Sequence, residues 1–306
     1  MTAKNAIKKS NGDKIFDIVN ITLLIIITIV VAYPLYFTII ASLSNPAEVS
    51  AGTVMFTPVD FCLDAYKYVF QDDRIWSGYA NSIFYTSLST LYCLCLTIPA
   101  AYVLSKKDIP FRWPMMVFFL ITMYFSGGMI PSYINISNLG LIDTPWVMIL
   151  GIGVTCRNLI ISRQYFSSSV PNEVYEAAAI DGASQIKSFI KIALPLAKPI
   201  IAVMALYYAV NDWNTYMRGM LYLKDSDLYP LQVVIRNILI ENQVSDVDLS
   251  SGSFTQADVD LLIYKDQLVE AMRYSTIFIS SAPLLIAYPF VQKFFVKGVM
   301  VGSVKG

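Results

Sequence analysis

Apolar residues in this chain gather in long runs, with neither the alternation of a half-exposed strand nor the single stripe of a surface helix. A bilayer core of about 30 Å takes roughly 20 mostly apolar residues of helix. Six segments reach that length: 19–42, 79–104, 113–132, 145–166, 196–221 and 274–295. They predict an all-α membrane protein with six transmembrane helices across 19–295, preceded by a polar segment 1–18 and followed by a tail 296–306. Gly127-Gly128 and Pro131 interrupt the third run and predict a broken or bent helix there. The basic start followed by the apolar run 21–43 is superficially like a signal peptide. That run exceeds a signal core of about 7–15 residues, and no A-x-A-like site follows, so it is read as a retained first span.

Composition agrees with the pattern. The chain is 56% hydrophobic and 14% charged, against about 25% charged in an ordinary soluble domain. Its net charge is zero and it has no basic tail, which removes the usual ground for nucleic-acid binding. There is no histidine, and Cys62, Cys93, Cys95 and Cys156 show no C-x-x-C spacing, which speaks against a metal site. The absence of histidine also excludes H-E-x-x-H, and no Ser–Lys pairing stands out, so a membrane enzyme is rejected.

Lysine and arginine placement sets the orientation. An even number of spans puts both termini on one side, together with Lys4, Lys8, Lys9, Lys14, Lys106, Lys107, Arg112, Arg163, Lys187, Lys191, Lys198, Lys293, Lys297 and Lys305. The other side carries Lys67, Arg74, Lys224, Arg236, Lys265 and Arg273 and most of the acids, despite its longer loops. Both termini are expected in the cytoplasm of a multi-pass protein of the cell membrane. Outside lie two long loops, 43–78 and 222–273. The second is long for structureless chain and is expected to hold a short helix, either as a docking surface or as a linker.

The cytoplasmic loop 167–195 carries the most specific pattern. Pro171 and Asn172 suit a helix start, with Glu173 and Glu176 near the positive end of its dipole. Ala177, Ala178 and Ala179 favour helix and let another surface approach closely. Asp181-Gly182 before Ala183 ends the helix, Ser184 starts a second one, and Pro195 suits the first turn of the fifth span. Read alone, this is a pair of short helices joined by a turn.

Glu176, Ala177, Ala178, Gly182, Ile192, Leu194 and Pro195 together resemble, without a gap, the EAA signature of importer permeases of the ATP-binding-cassette superfamily. Several further stretches look like carbohydrate permeases similar to the smaller membrane subunit of the maltose transporter. They are Tyr124-Phe125-Ser126-Gly127-Gly128-Met129-Ile130-Pro131, Asn138-Leu139-Gly140-Leu141, Trp213-Asn214 and the tail from Val296 to Gly306. The chain most resembles permeases that work with lipoprotein binding proteins and import plant- or algal-type oligosaccharides.

The resemblance implies a type I importer transmembrane domain whose loop is a coupling helix docked on an ATPase, with Glu176 meeting a basic group and Gly182 forming the turn. It implies as partners a second permease subunit, two ATP-binding-cassette ATPase subunits and an extracellular solute-binding lipoprotein. The chain itself has no G-x-x-x-x-G-K-[ST] to cradle phosphates, so no cofactor is expected in it, ATP and magnesium belonging to the ATPase. An ion-coupled secondary transporter is the alternative. It calls for internal repeats and intramembrane carboxylates, and only Asp212 qualifies.

Charged residues at membrane depth are functional candidates by default. Arg157 in the fourth span has two readings, a structural pair with Asp212 (or with the partner permease) and a contact with an anionic sugar. Tyr207, Asn211, Asn214 and Arg218 recur on one helical face, with Trp213 beside them as a stacking surface. That face is either a sugar path or a polar seam between helices.

Overall fold

The computed structural model describes residues 10–169, 172–241 and 256–302. The described residues are helical, with no strand among them. The chain divides into two compact units, residues 1–71 with 239–279 and residues 72–238 with 280–306.

In the first unit the helix Asn11–Ser42 opens with a reciprocal cap, Ser10 N–H donating to Asp13 Oδ2 at 3.0 Å. From Ile15 to Leu35 its large apolar side chains are exposed around the whole circumference. A helix apolar on every side suits hydrocarbon rather than water. Near its end Ile40 and Ala41 turn into a small core with Val49 and Val54. Phe37 meets Tyr274 edge-on at 5.5 Å, and Tyr66 Oη donates to Ser42 Oγ at 2.8 Å.

The second unit is built round the helix Asp73–Ser105, which packs on Cys156–Ser169 and Lys198–Trp213. A glycine admits a further neighbour, the start of the helix Leu231–Glu241. Gly78 faces Leu231, where a Cβ would lie 3.1 Å from the Leu231 Cα. Two polar contacts join the packed helices: Thr97 Oγ1 lies 2.7 Å from Tyr208 Oη, and Ser82 Oγ accepts from Leu231 N–H at 2.8 Å. One apolar cluster gathers Ile98, Tyr102, Leu159, Phe166 and Met204, and another gathers Tyr85, Val147, Met148 and Tyr222.

By length and composition two described helices suffice to cross a membrane, Asn11–Ser42 and Asp73–Ser105, or four if each of two bent pairs is one span. The expected break after Tyr124 is present, with Arg112–Tyr124 and Met129–Asn138 meeting at 113°. The fifth segment also bends, by 77° between Gln185–Leu196 and Lys198–Trp213. Two runs expected to be continuous are not. The fourth splits into Pro145–Leu150 and Cys156–Ser169, with Gly151 and Gly153 between. The fifth splits into Lys198–Trp213 and Met217–Tyr222. The sixth lies inside the 47-residue helix Gln256–Gly302, so residues assigned to the outer loop begin that helix. Leu231–Glu241 is the short helix expected in this loop, while the Ser/Asp-rich stretch between them lies outside the described residues.

Candidate functional site

The loop between the fourth and fifth segments forms two short helices, Asn172–Ile180 and Gln185–Ser188. The first ends in a closed turn. Ala183 N–H donates to Ala178 O at 2.9 Å and Gly182 N–H to Ala179 O at 3.1 Å, while Gly182 takes a φ of 75°. Two of the helix's orphan carbonyls are thus satisfied, and the left-handed residue is the glycine. Ser184 Oγ accepts from Lys187 N–H and starts the second helix. A π-helical segment Phe189–Ala193 follows, and Ile192, Leu194 and Pro195 lead into the bend before Lys198.

The alanines divide. Ala178 is buried in its own protein, while Glu176, Ala177, Ala179, Asp181 and Gly182 are exposed and Ala183 is half-buried. The outward face therefore has low side chains flanked by Ile180 and Ile186, 87% and 72% exposed. Both side chains stand uncovered among the described residues.

Behind that face lies an aromatic cluster that the sequence reading missed. Tyr102 contacts Tyr175, Phe166 and Phe189, with ring centroids 5.9, 5.8 and 4.9 Å apart. Lys106 Nζ stands 2.9 Å above the Tyr175 ring centre and 4.9 Å from that of Tyr102. Burial pushes the Tyr175 phenol up to about 12 and holds the Lys106 ammonium below its usual value, with Asp108 pulling the latter back. Arg112 and Arg163 both donate through Nε to the Leu104 carbonyl, at 3.0 and 3.1 Å, placing two cations at the negative end of the 73–105 helix.

The polar positions of the fifth segment do not all lie on one continuous helix, because Arg218 belongs to Met217–Tyr222 beyond the break. The helix stops at Trp213, and Asn214 Nδ2 donates to Val210 O of its own last turn. Tyr207 and Asn211 are exposed, whereas Trp213 is buried and donates through Nε1 to Ser280 O at 2.8 Å. Trp213 is thus a packing residue, not a free stacking surface. The break turns Arg218 back over the helix end, where Nη1 donates to Asp212 Oδ1 at 3.3 Å and to Met148 O at 3.0 Å. The partner of Asp212 is therefore Arg218, not Arg157. Arg157, one residue into its helix after the 151–155 break, is exposed.

A cavity of about 490 Å³ opens among the broken helix ends, lined by Ser132, Asn135, Gly151, Thr215, Arg218 and Tyr222 with apolar neighbours. All of these residues lie in the second unit. Across the ends, Asp143 accepts at Oδ1 from the N–H groups of Lys224 and Asp225 at 2.8 and 2.9 Å. These bonds hold its carboxyl below the usual carboxylate range.

Known proteins align along nearly the full length. The chain is 36% identical to the polygalacturonan/rhamnogalacturonan transport system permease protein YtcP of Bacillus subtilis over 96% of its length and 99% of that protein's. It is 37% identical to protein LplC of the same organism, with 100% of both chains covered. A crystal structure of a bacterial ABC transporter involved in the import of the acidic polysaccharide alginate superposes with a TM-score of 0.79. It shares 34% identity and covers 95% of this chain and 100% of that one. Residues 75–301 match the family described as binding-protein-dependent transport system inner membrane component, and the chain belongs to that family.

Proposed function

We propose that this chain is the permease subunit of an ATP-binding-cassette importer that carries an acidic oligosaccharide inward. It crosses the membrane six times with both termini cytoplasmic. A second permease subunit completes the path, two ATPase subunits bind the ATP and magnesium, and an extracellular solute-binding lipoprotein delivers the sugar. The observation that carries the reading is the outward face of the 172–188 loop, two capped helices presenting Ala177, Ala179, Ile180 and Ile186 with no cover of their own. Glu176 beside them is free to meet a cation of the ATPase. Support for an acidic cargo comes from the relatives named for polygalacturonan and rhamnogalacturonan and for alginate.

The test is uptake into proteoliposomes by the complete complex supplied with its binding protein. Import of a galacturonate trimer should exceed that of a neutral hexose trimer of the same length. Import of the neutral trimer alone overturns the choice of cargo.

A further inference from the structure

Arg218 is held unusually firmly for a cavity residue. Its side chain is 14% exposed, and that of Asp212 is 5% exposed. Both hydrogen bonds it makes leave from Nη1, to Met148 O and Asp212 Oδ1. The Nε–H and the two Nη2–H groups have no acceptor among the described residues. These donors form one edge of the planar fork, the edge that grips both oxygens of a carboxylate through two parallel hydrogen bonds. Donors left open on the cavity side are placed to take a ligand acceptor.

The cavity wall is shaped round this group. A Cβ at position 151 would lie 2.6 Å from Val147 O and 3.2 Å from Arg218 Cδ and Nε, so a larger residue there would force the backbone to shift and press on the arginine. Polar atoms stand on the other sides. Asn135 is exposed with its amide uncommitted among the described residues. Ser132 Oγ and Thr215 Oγ1 spend their protons on Gly128 O and Asn211 O, leaving lone pairs to accept from hydroxyls. Asp212 fixes the guanidinium and balances its charge, so the site offers geometry without a large net positive field. Such a site binds an anion yet lets it leave, as a transport path requires.

The geometry points to this cavity as a subsite for the carboxylate of a uronic-acid unit, gripped by the Nε–Nη2 edge of Arg218, with Asn135, Ser132 and Thr215 set for ring hydroxyls. The assignment deepens the proposed function and rests on it. Asp212 is a positioning residue here. A neutral sugar meets the same cavity with hydroxyls alone and cannot reproduce the parallel pair.

The test compares uptake of a galacturonate trimer with uptake of its carboxyl-reduced, neutral counterpart by the reconstituted complex. Arg218→Lys keeps a cation beside Asp212 and loses the fork. It should raise KM for the uronate about tenfold, or about 1.4 kcal/mol, and change the neutral trimer less than twofold. Asn135→Asp places a carboxylate in the cavity at an exposed position, and by charge repulsion it should weaken the uronate several-fold more than the neutral trimer. If Arg218→Lys does not assemble, Asn135→Asp decides. Wild-type selectivity in the variants, or equal loss of both trimers, overturns the subsite while leaving the cargo intact. A wild-type complex that ignores the uronate overturns the cargo itself. Selectivity changes that appear only in liposomes containing anionic lipid assign the arginine to a headgroup instead, and the subsite falls.

Discussion

Removing one member of the Asp212–Arg218 pair should cost far more than removing both. The two side chains are 5% and 14% exposed and 3.3 Å apart, which places them with buried rather than surface ion pairs. An exposed pair contributes about 0–1 kcal/mol, whereas breaking a buried one costs about 3–5 kcal/mol because a desolvated charge is left alone. Asp212→Leu leaves Arg218 as that charge, and Arg218→Met leaves Asp212. In the double variant no charge is stranded, and the loss falls to about 1 kcal/mol, the Met148 carbonyl having lost its donor. The assay is unfolding of the purified protein in mixed micelles by titration with a denaturing detergent, for the wild type, both single variants and the double. Arg157→Gln, at an exposed position, serves as the comparison and should stay within about 0.5 kcal/mol. Equal costs for Asp212→Leu and Arg157→Gln, or additive losses in the double variant, would refute the pairing. The double variant should also assemble and yet lose preference for uronate cargo.

At the loop, Gly182→Val forces a β-branched residue to a φ of 75° in open space, a backbone cost of about 1–3 kcal/mol. Membrane insertion should survive while substrate-stimulated ATP hydrolysis falls, and unchanged stimulation sinks the idea. Lys106→Gln removes the cation above Tyr175 and Tyr102, worth about 0.5–2 kcal/mol. ATP hydrolysed per sugar imported should rise, and an unaltered ratio would show that the cluster transmits nothing. Asp143→Asn probes the contact of Asp143 with the Lys224 and Asp225 N–H groups. Because the folded carboxyl is depressed by the N–H groups of Asp225 and Lys224, its contribution is present above the ordinary carboxylate value and disappears as pH falls through the lowered one. The gap in melting temperature between wild type and Asp143→Asn should therefore close on acidification, and a gap that widens contradicts the assignment.

What could be read beforehand was what short-range chemistry dictates. Gly182 after an alanine helix announces a left-handed cap, and the structure closes that turn as expected. Gly127, Gly128 and Pro131 announce the break near Tyr124. The pair Gly151 and Gly153 carries the same signal in the fourth segment, masked by the apolar run on either side. The break at Asn214–Tyr216 holds no glycine or proline, so nothing local marks it. Residues 212 and 218 stand six apart, and at about 100° per residue they would face different ways on a straight helix. Only the break between Trp213 and Met217 brings them together. Periodicity groups Arg218 with Tyr207, Asn211 and Asn214, and the pairing of charges at membrane depth points Asp212 to Arg157. The Tyr102–Tyr175 contact was hidden for a similar reason, since it joins elements more than 70 positions apart that look like ordinary apolar sequence.

The central claim is that transport through this chain is driven by a separate ATPase seated on the 172–188 loop. The measurement that meets it most directly is accumulation of labelled galacturonate trimer in proteoliposomes, with ATP on the ATPase side and the ion gradients collapsed by ionophores. The account predicts accumulation against the gradient that requires the ATPase subunits, ATP and the binding protein, and that is abolished by Gly182→Val. Accumulation that needs no ATP and follows an imposed proton or sodium gradient would contradict it.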